Sequence, residues 1–207
     1  MHPIIIVLAT RNRGKSQEIR RVLAEYPIDF RDLNDFGVLP DVVEDGLTFE
    51  ENAYKKSSFY ARILGFPALA DDSGLVVEAL NGAPGVLSAR YAGMDATDEK
   101  NIQKLLAAMD GQANRAAAFV CVLSLAMPGG AALTYEAECG GLITTQPVGQ
   151  NGFGYDPVFY YPPLEKTFAQ LTMPEKNSVS HRGKAFNEFR SELDKIMTWI
   201  GQRQGEI

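Results

Sequence analysis

The stretch IIIVLATRNRGKSQEI, residues 4 to 19, constrains this chain more than any other. Ile4 to Leu8 is a short apolar run rich in β-branched residues, which predicts a buried strand. Ile19, Val22, Leu23 and Tyr26 then recur at helical spacing, so a helix starts near Gly14 or Lys15 and ends before Pro27. Thr10 to Lys15 is therefore the turn from a strand into a helix N-terminus. Unpaired backbone N–H groups and the helix dipole make such a turn favourable for a phosphate.

Read from Ala9 to Ser16, the turn is A-x-x-x-x-G-K-S, with Ala9 where a P-loop carries its first glycine. Three readings stay open on this stretch alone: a P-loop ATPase or kinase, a different phosphate-holding turn, and a solvated first-turn lysine at Lys15.

The rest of the chain predicts an α/β protein. Thr48-Phe-Glu-Glu51 has the form of a capping box and opens a helix lined by Ala53, Ser57, Tyr60, Ala61 and Leu64, closed by Gly65 and Pro67. ALADDSGLVVEAL, residues 68 to 80, reads as two short strands broken at Asp71 to Gly74, and residues 81 to 93 as a glycine-rich loop. Asp98 to Met109 is a helix by Ile102, Leu105, Leu106 and Met109. AAAFVCVLSLAM and ALTYEAECGGLIT are long strands joined at Pro128-Gly-Gly130 as a hairpin that would form much of one lobe. Residues 146 to 155 are a loop, and Phe186, Phe189, Leu193, Ile196 and Ile200 line one final helix. The expectation is a single domain over 1–207, with a mixed sheet and two lobes around a cleft.

Composition narrows the partners. A net charge of −6 argues against polymeric nucleic acid, whose backbone rewards a basic face, but allows a small anion held by a local basic cluster or a bound cation. Cys121 and Cys139 lack zinc-site spacing and read as reduced, buried small hydrophobes. The short apolar start turns polar at Thr10 and no run approaches membrane-spanning length, so the chain reads as cytosolic, with no signal peptide and no membrane partner.

Four groups of residues carry chemistry. The first is the turn, with Thr10, Asn12 and Lys15. The second is acidic: Glu44-Asp45 before the capped helix, and Asp71-Asp72 after an apolar run. Carboxylates at strand ends suit Mg²⁺, which takes hard oxygen ligands, although Asp72 followed by Ser-Gly also reads as a turn. Asp-Ser-Gly resembles an aspartic-protease loop too, but that chemistry needs two such loops and one is present. The third is NGFGYDP, residues 151 to 157, where Phe153 and Tyr155 either present a face for stacking on a base or serve as core aromatics in a turn. The fourth is EKNSVSHRGKAF, where Lys176, His181 and Arg182 gather donors beside a helix start at Gly183. His2 is terminal, leaving His181 as the candidate for imidazole chemistry.

Six blocks taken together, ATRNRGK, GLTFEENA, ADDSGL, GAPGVLSARYAG, GFGYDPVF and SHRGKA, resemble the inosine triphosphate pyrophosphatase family in its own order, over nearly the whole chain. The resemblance implies a homodimeric α/β enzyme with a long mixed central sheet flanked by helices. Its reaction would be Mg²⁺-dependent hydrolysis of nonstandard purine triphosphates (ITP, dITP, XTP) to monophosphate and pyrophosphate. By the same resemblance the turn Thr10, Arg11, Asn12, Arg13, Gly14 and Lys15 would hold the triphosphate. Glu44, or its neighbour Asp45, and Asp72 would bind metal, with Asp72 activating water. Ser73 would touch substrate, Phe153, Gly154, Tyr155 and Asp156 would pack on the nucleoside, and Lys176, His181 and Arg182 would read the base. Arg11 stands where many members carry glycine. A non-catalytic purine nucleotide-binding module is the alternative from another class, and the related pyrophosphatases of modified pyrimidine nucleotides fit SHRGKA and GFGYDP less well.

Overall fold

The structure is a computed structural model that describes residues 4–23, 26 and 28–204. His2 and Pro27, and the burial of Val22, lie outside the described residues. The elements run β1 (Ile4–Leu8), α1 (Arg13–Val22), β2 (Ile28–Asp32), α2 (Phe49–Leu64), β3 (Ala68–Val77), α3 (Asp98–Ala108), β4 (Ala116–Ala126), β5 (Ala132–Ile143), β6 (Phe159–Tyr161), β7 (Lys166–Thr167), α4 (Met173–Val179), α5 (His181–Ser191) and α6 (Leu193–Gln204). One mixed sheet takes the order β2-β1-β3-β4-β5-β6-β7. β1 runs parallel to β2 and β3, while β6 is antiparallel to β5 and β7.

Several expectations change in the structure. Ala68 to Val77 is one unbroken strand, not two. The polar Asp71-Asp72-Ser73 segment stays extended as part of β3, an interior strand of the sheet, so the sheet context overrides the local turn preference. β2, whose sequence IDFRD alternates apolar and polar over only four residues, was not anticipated. Thr48 does cap α2 by accepting from Glu51 N–H, but Glu51 reaches back to Leu47 N–H and not to Thr48, so the reciprocal box is not formed. The final helix is two, α5 and α6, broken at Glu192, although the five apolar positions expected to line it are all buried. α5 also begins at His181, two residues before Gly183, which puts His181 and Arg182 in its first turn.

The chain divides into two compact units. The first comprises residues 1–72, 122–136 and 185–207. Val7, Ala9, Tyr60, Ala61, Ala68 and Ala70 pack there into one cluster, so the small and aromatic residues of α2 cover the ends of β1 and β3. The second comprises 73–121 and 137–184 and is built on Leu75, Leu105, Phe119, Phe159 and Phe168. The β4–β5 hairpin is divided between them, its tip in the first unit and its bases in the second, so it does not belong to one lobe. Cys121 and Cys139 are buried and not in disulfides.

Candidate active site

In the first unit, the sequence folds a phosphate-type turn. Asn12 is the N-cap of α1: its Oδ1 accepts from Lys15 N–H at 3.1 Å, and its own N–H donates to Thr10 Oγ1 at 3.1 Å. The first-turn N–H groups, at Arg13 and Gly14, have no carbonyl one turn earlier to bond and point along the positive end of the dipole. The Arg13 side chain is exposed. Lys15 turns its ammonium onto Asp71, 3.0 and 2.8 Å from its two carboxylate oxygens. Arg11 takes another direction: its guanidinium donates to Leu39 O at 2.8 Å and lies 3.7 Å from Asp41.

Next to Asp71 on β3, Asp72 points to the opposite face of the strand. Burial pushes its pKa up to about 6, with Glu44 and Asp71 raising it further while Lys56 and a hydrogen bond from Asn52 pull it down. Those two α2 residues are one turn apart, so they share a face. Lys56 Nζ lies 3.0 Å from Glu44 and donates to Asp71 O at 3.2 Å. Asn52 Oδ1 accepts from Gly46 N–H at 2.7 Å, fixing the segment that carries Glu44. Asp45 faces outward and pairs with Lys55. Thus Glu44, and not Asp45, shares surroundings with Asp72.

Among the described residues, no three His, Cys, Asp or Glu side chains converge as a ready metal cage. Mg²⁺ does not require one, since it is commonly held by one or two carboxylates together with waters and substrate phosphate oxygens. The hard-oxygen pair Glu44 and Asp72 fits that requirement.

In the second unit, Phe153 is 56% exposed, although its neighbour Tyr155 is buried. Lys176 Nζ lies 4.7 Å and Arg182 Cζ 5.7 Å from the Phe153 ring centroid. Lys176 is buried and forms an ion pair with Asp156, whose Oδ2 also accepts from Phe153 N–H at 3.0 Å. His181 stacks on Phe119, with centroids 4.7 Å apart and planes at 12°. Of the three donors expected from EKNSVSHRGKAF, Lys176 and Arg182 therefore lie near Phe153, while His181 packs on Phe119. The loop itself divides between its two readings, since Phe153 presents a face while the Tyr155 hydroxyl donates to Ser88 O at 2.8 Å inside the core. Gly152 has φ +79°, and a Cβ there would meet Asp156 Oδ2 at 1.9 Å, so the loop's tight approach needs glycine. Ser73, on β3 in this unit, is half-buried.

Lys56, Asn52 and Asp98 were not anticipated. The first two carried a signal, polar residues four apart flanking the apolar face of a capped helix. Asp98 carried none, since its partner is distant in sequence.

A strand-turn-helix beside paired acids, and separately an exposed aromatic ring beside buried cations, are consistent with an α/β enzyme that acts on nucleotides. The profile of the Ham1 family matches residues 6–192, and the chain belongs to that family. It is 60% identical over 206 residues to the dITP/XTP pyrophosphatase of Syntrophobacter fumaroxidans, covering 100% of this chain and 89% of the relative. The corresponding protein of Desulfotalea psychrophila is 54% identical, with 98% and 91% covered. The structure of a HAM1 protein from Coxiella burnetii superposes with a TM-score of 0.89 at 44% identity, covering 93% of this chain and 99% of that one. The Staphylococcus aureus Ham1 protein gives 0.87 at 42%, covering 92% and 98%. The P-loop reading of the opening stretch is set aside by this membership.

Proposed function

We propose that the chain hydrolyses nonstandard purine nucleoside triphosphates, ITP, dITP and XTP, to the monophosphate and pyrophosphate, clearing them from the nucleotide pool. The observation that carries this reading is the contrast between adjacent carboxylates on β3. Asp71 is buried and tied to Lys15, while Asp72 is half-buried, with its pKa raised to about 6 beside Glu44 and Lys56. Neighbouring acids with different surroundings take different roles: one positions a cation, the other accepts a proton near neutral pH.

Water attacks the α-phosphorus, and the bond to the bridging oxygen of the β-phosphate breaks, releasing pyrophosphate. Asp72 orients that water and takes its proton. Lys15 has three donors, so it can hold Asp71 and still offer an N–H to phosphate, and Lys56 does the same from Glu44 and Asp71 O. The N–H groups at Arg13 and Gly14 cradle phosphate oxygens. Glu44 and Asp72 would hold Mg²⁺, which when bound neutralises charge on the phosphates. Phe153 supplies a stacking face, Lys176, His181 and Arg182 donate to the 6-oxo group of the base, and Ser73 touches substrate. On this reading the protein acts as a cytoplasmic homodimer.

The bond broken is tested by turnover in water enriched in heavy oxygen. Attack at the α-phosphorus puts the label in the monophosphate; label confined to pyrophosphate contradicts it.

A further inference from the structure

The Phe153 platform is held by two carboxylates on consecutive peptide N–H groups. Asp156 Oδ2 accepts from Phe153 N–H at 3.0 Å. Asp98 Oδ2 accepts from Gly154 N–H at 2.6 Å, across 56 residues of sequence. Gly154 has φ +60°, the left-handed conformation that glycine adopts without strain. Further anchors of the loop include the Tyr155 hydroxyl on Ser88 O, Asn151 on Ala169 O and Leu171 O, and the Lys176–Asp156 pair.

Asp98 is the first residue of α3, capped by Thr97, and it belongs to none of the blocks that mark the family resemblance. A carboxylate in a first turn already favours the helix dipole, and that alone would explain an aspartate there. It does not explain why the carboxylate accepts the Gly154 N–H at the length of a charge-assisted bond. Exposed aromatic rings on glycine-flanked loops lose stacking affinity when the loop samples other conformations, because the ordering cost then falls on binding. A carboxylate supplied by a well-formed helix removes part of that cost beforehand.

The geometry assigns Asp98 as a positioning residue: it accepts the Gly154 N–H and so holds the Phe153 ring in place for a purine. This rests on the reading of Phe153 as the base platform. Asp98 touches no substrate; it acts through the backbone of the loop.

The test compares Asp98→Ala with Asp98→Asn. The amide oxygen of asparagine can still accept from Gly154 N–H, but it lacks the charge that favours the helix N-terminus. Asp98→Ala should raise KM for ITP by about five- to twentyfold with kcat nearly unchanged, as expected when an interaction common to ground and transition states is weakened. Amide exchange at residues 152–155 of the unliganded protein should quicken in the same variant. Asp98→Asn should restore both KM and exchange while keeping the lowered Tm of the alanine variant. Unchanged KM and exchange in Asp98→Ala would overturn the assignment, leaving Asp98 as a helix-end charge. So would an asparagine that fails to restore them. Failure of the pyrophosphatase reading looks different, because the unmodified protein would then release orthophosphate or nothing, while the exchange comparison would still report on the Asp98 contact.

Discussion

Lys15 Nζ lies 3.0 Å from Oδ1 and 2.8 Å from Oδ2 of Asp71, so a lysine from the phosphate turn and a buried carboxylate of β3 hold one another. Removing the lysine strands a charge that is only 7% exposed. Lys15→Ala should therefore cost about 1–3 kcal/mol of stability, since breaking one side of a buried pair leaves the other uncompensated. It should also lower kcat/KM by roughly a hundredfold, because a phosphate-holding cation acts in both ground and transition states. Adding Asp71→Asn to that variant should recover most of the stability and none of the activity. Denaturant titration and steady-state kinetics separate the two; full activity in Lys15→Ala would remove Lys15 from the phosphate site.

Asp72 carries a sign that can be checked. Its pKa is raised from 3.8 to about 6 in the fold, chiefly by burial. The fold thus favours the protonated form: the group's stabilising contribution is complete below 3.8 and lost as pH climbs through about 6. Above that, holding the buried carboxylate costs about 1–3 kcal/mol. In chelator-treated protein, Asp72→Asn should raise Tm at pH 8 and give no gain at pH 4. Turnover should collapse, and Mg²⁺ should raise the Tm of the unmodified protein but not of the variant. In the unmodified enzyme kcat/KM should rise with pH as Asp72 ionises, with a midpoint that moves down as Mg²⁺ is raised, because the cation favours the carboxylate. A profile that falls as pH rises, or a variant that retains kcat, contradicts Asp72 as the base.

Arg11 sits in the phosphate turn by sequence, yet its guanidinium binds Leu39 O and faces Asp41. Arg11→Gly should leave KM for ITP within about twofold, because an exposed contact of this kind contributes little and none of it reaches phosphate. A tenfold rise in KM would show that the side chain swings onto substrate.

Base choice should reside in the second unit. Lysine and arginine only donate, so a 6-oxo group pairs with them and the 6-amino group of adenine does not. An unpaired buried donor costs roughly 1–3 kcal/mol, enough for two or three to discriminate by orders of magnitude. Arg182→Ala should lower kcat/KM for ITP far more than for ATP and compress the ratio between them. Equal losses would mean that Arg182 grips phosphate.

How far the sequence alone carries can be judged from particular elements. β1, α1, α3 and the β4–β5 hairpin were legible because periodicity, caps and a Pro-Gly-Gly turn are local signals. β3 was misread as broken because Asp71 to Gly74 looks like a turn until it is seen as part of an interior strand of the sheet. β2 was missed because Ile28 and Phe30, set between Asp29 and Arg31, make an alternation too short to stand out. At the candidate site, the residue types were readable from short blocks. The pairings were not: Lys15 meets Asp71 across 56 residues and Asp98 meets Gly154 across 56, and neither separation leaves a trace in spacing. The preference for Glu44 over Asp45 likewise depends on which lysine of α2 each one meets.

The most direct measurement is the identity of the phosphate product when the purified protein turns over dITP or XTP with Mg²⁺. The expected result is one pyrophosphate per monophosphate formed, with no orthophosphate in the absence of an added pyrophosphatase, and with ATP and GTP poorly used. Orthophosphate together with a nucleoside diphosphate would place the cleavage at the terminal phosphate and contradict the account.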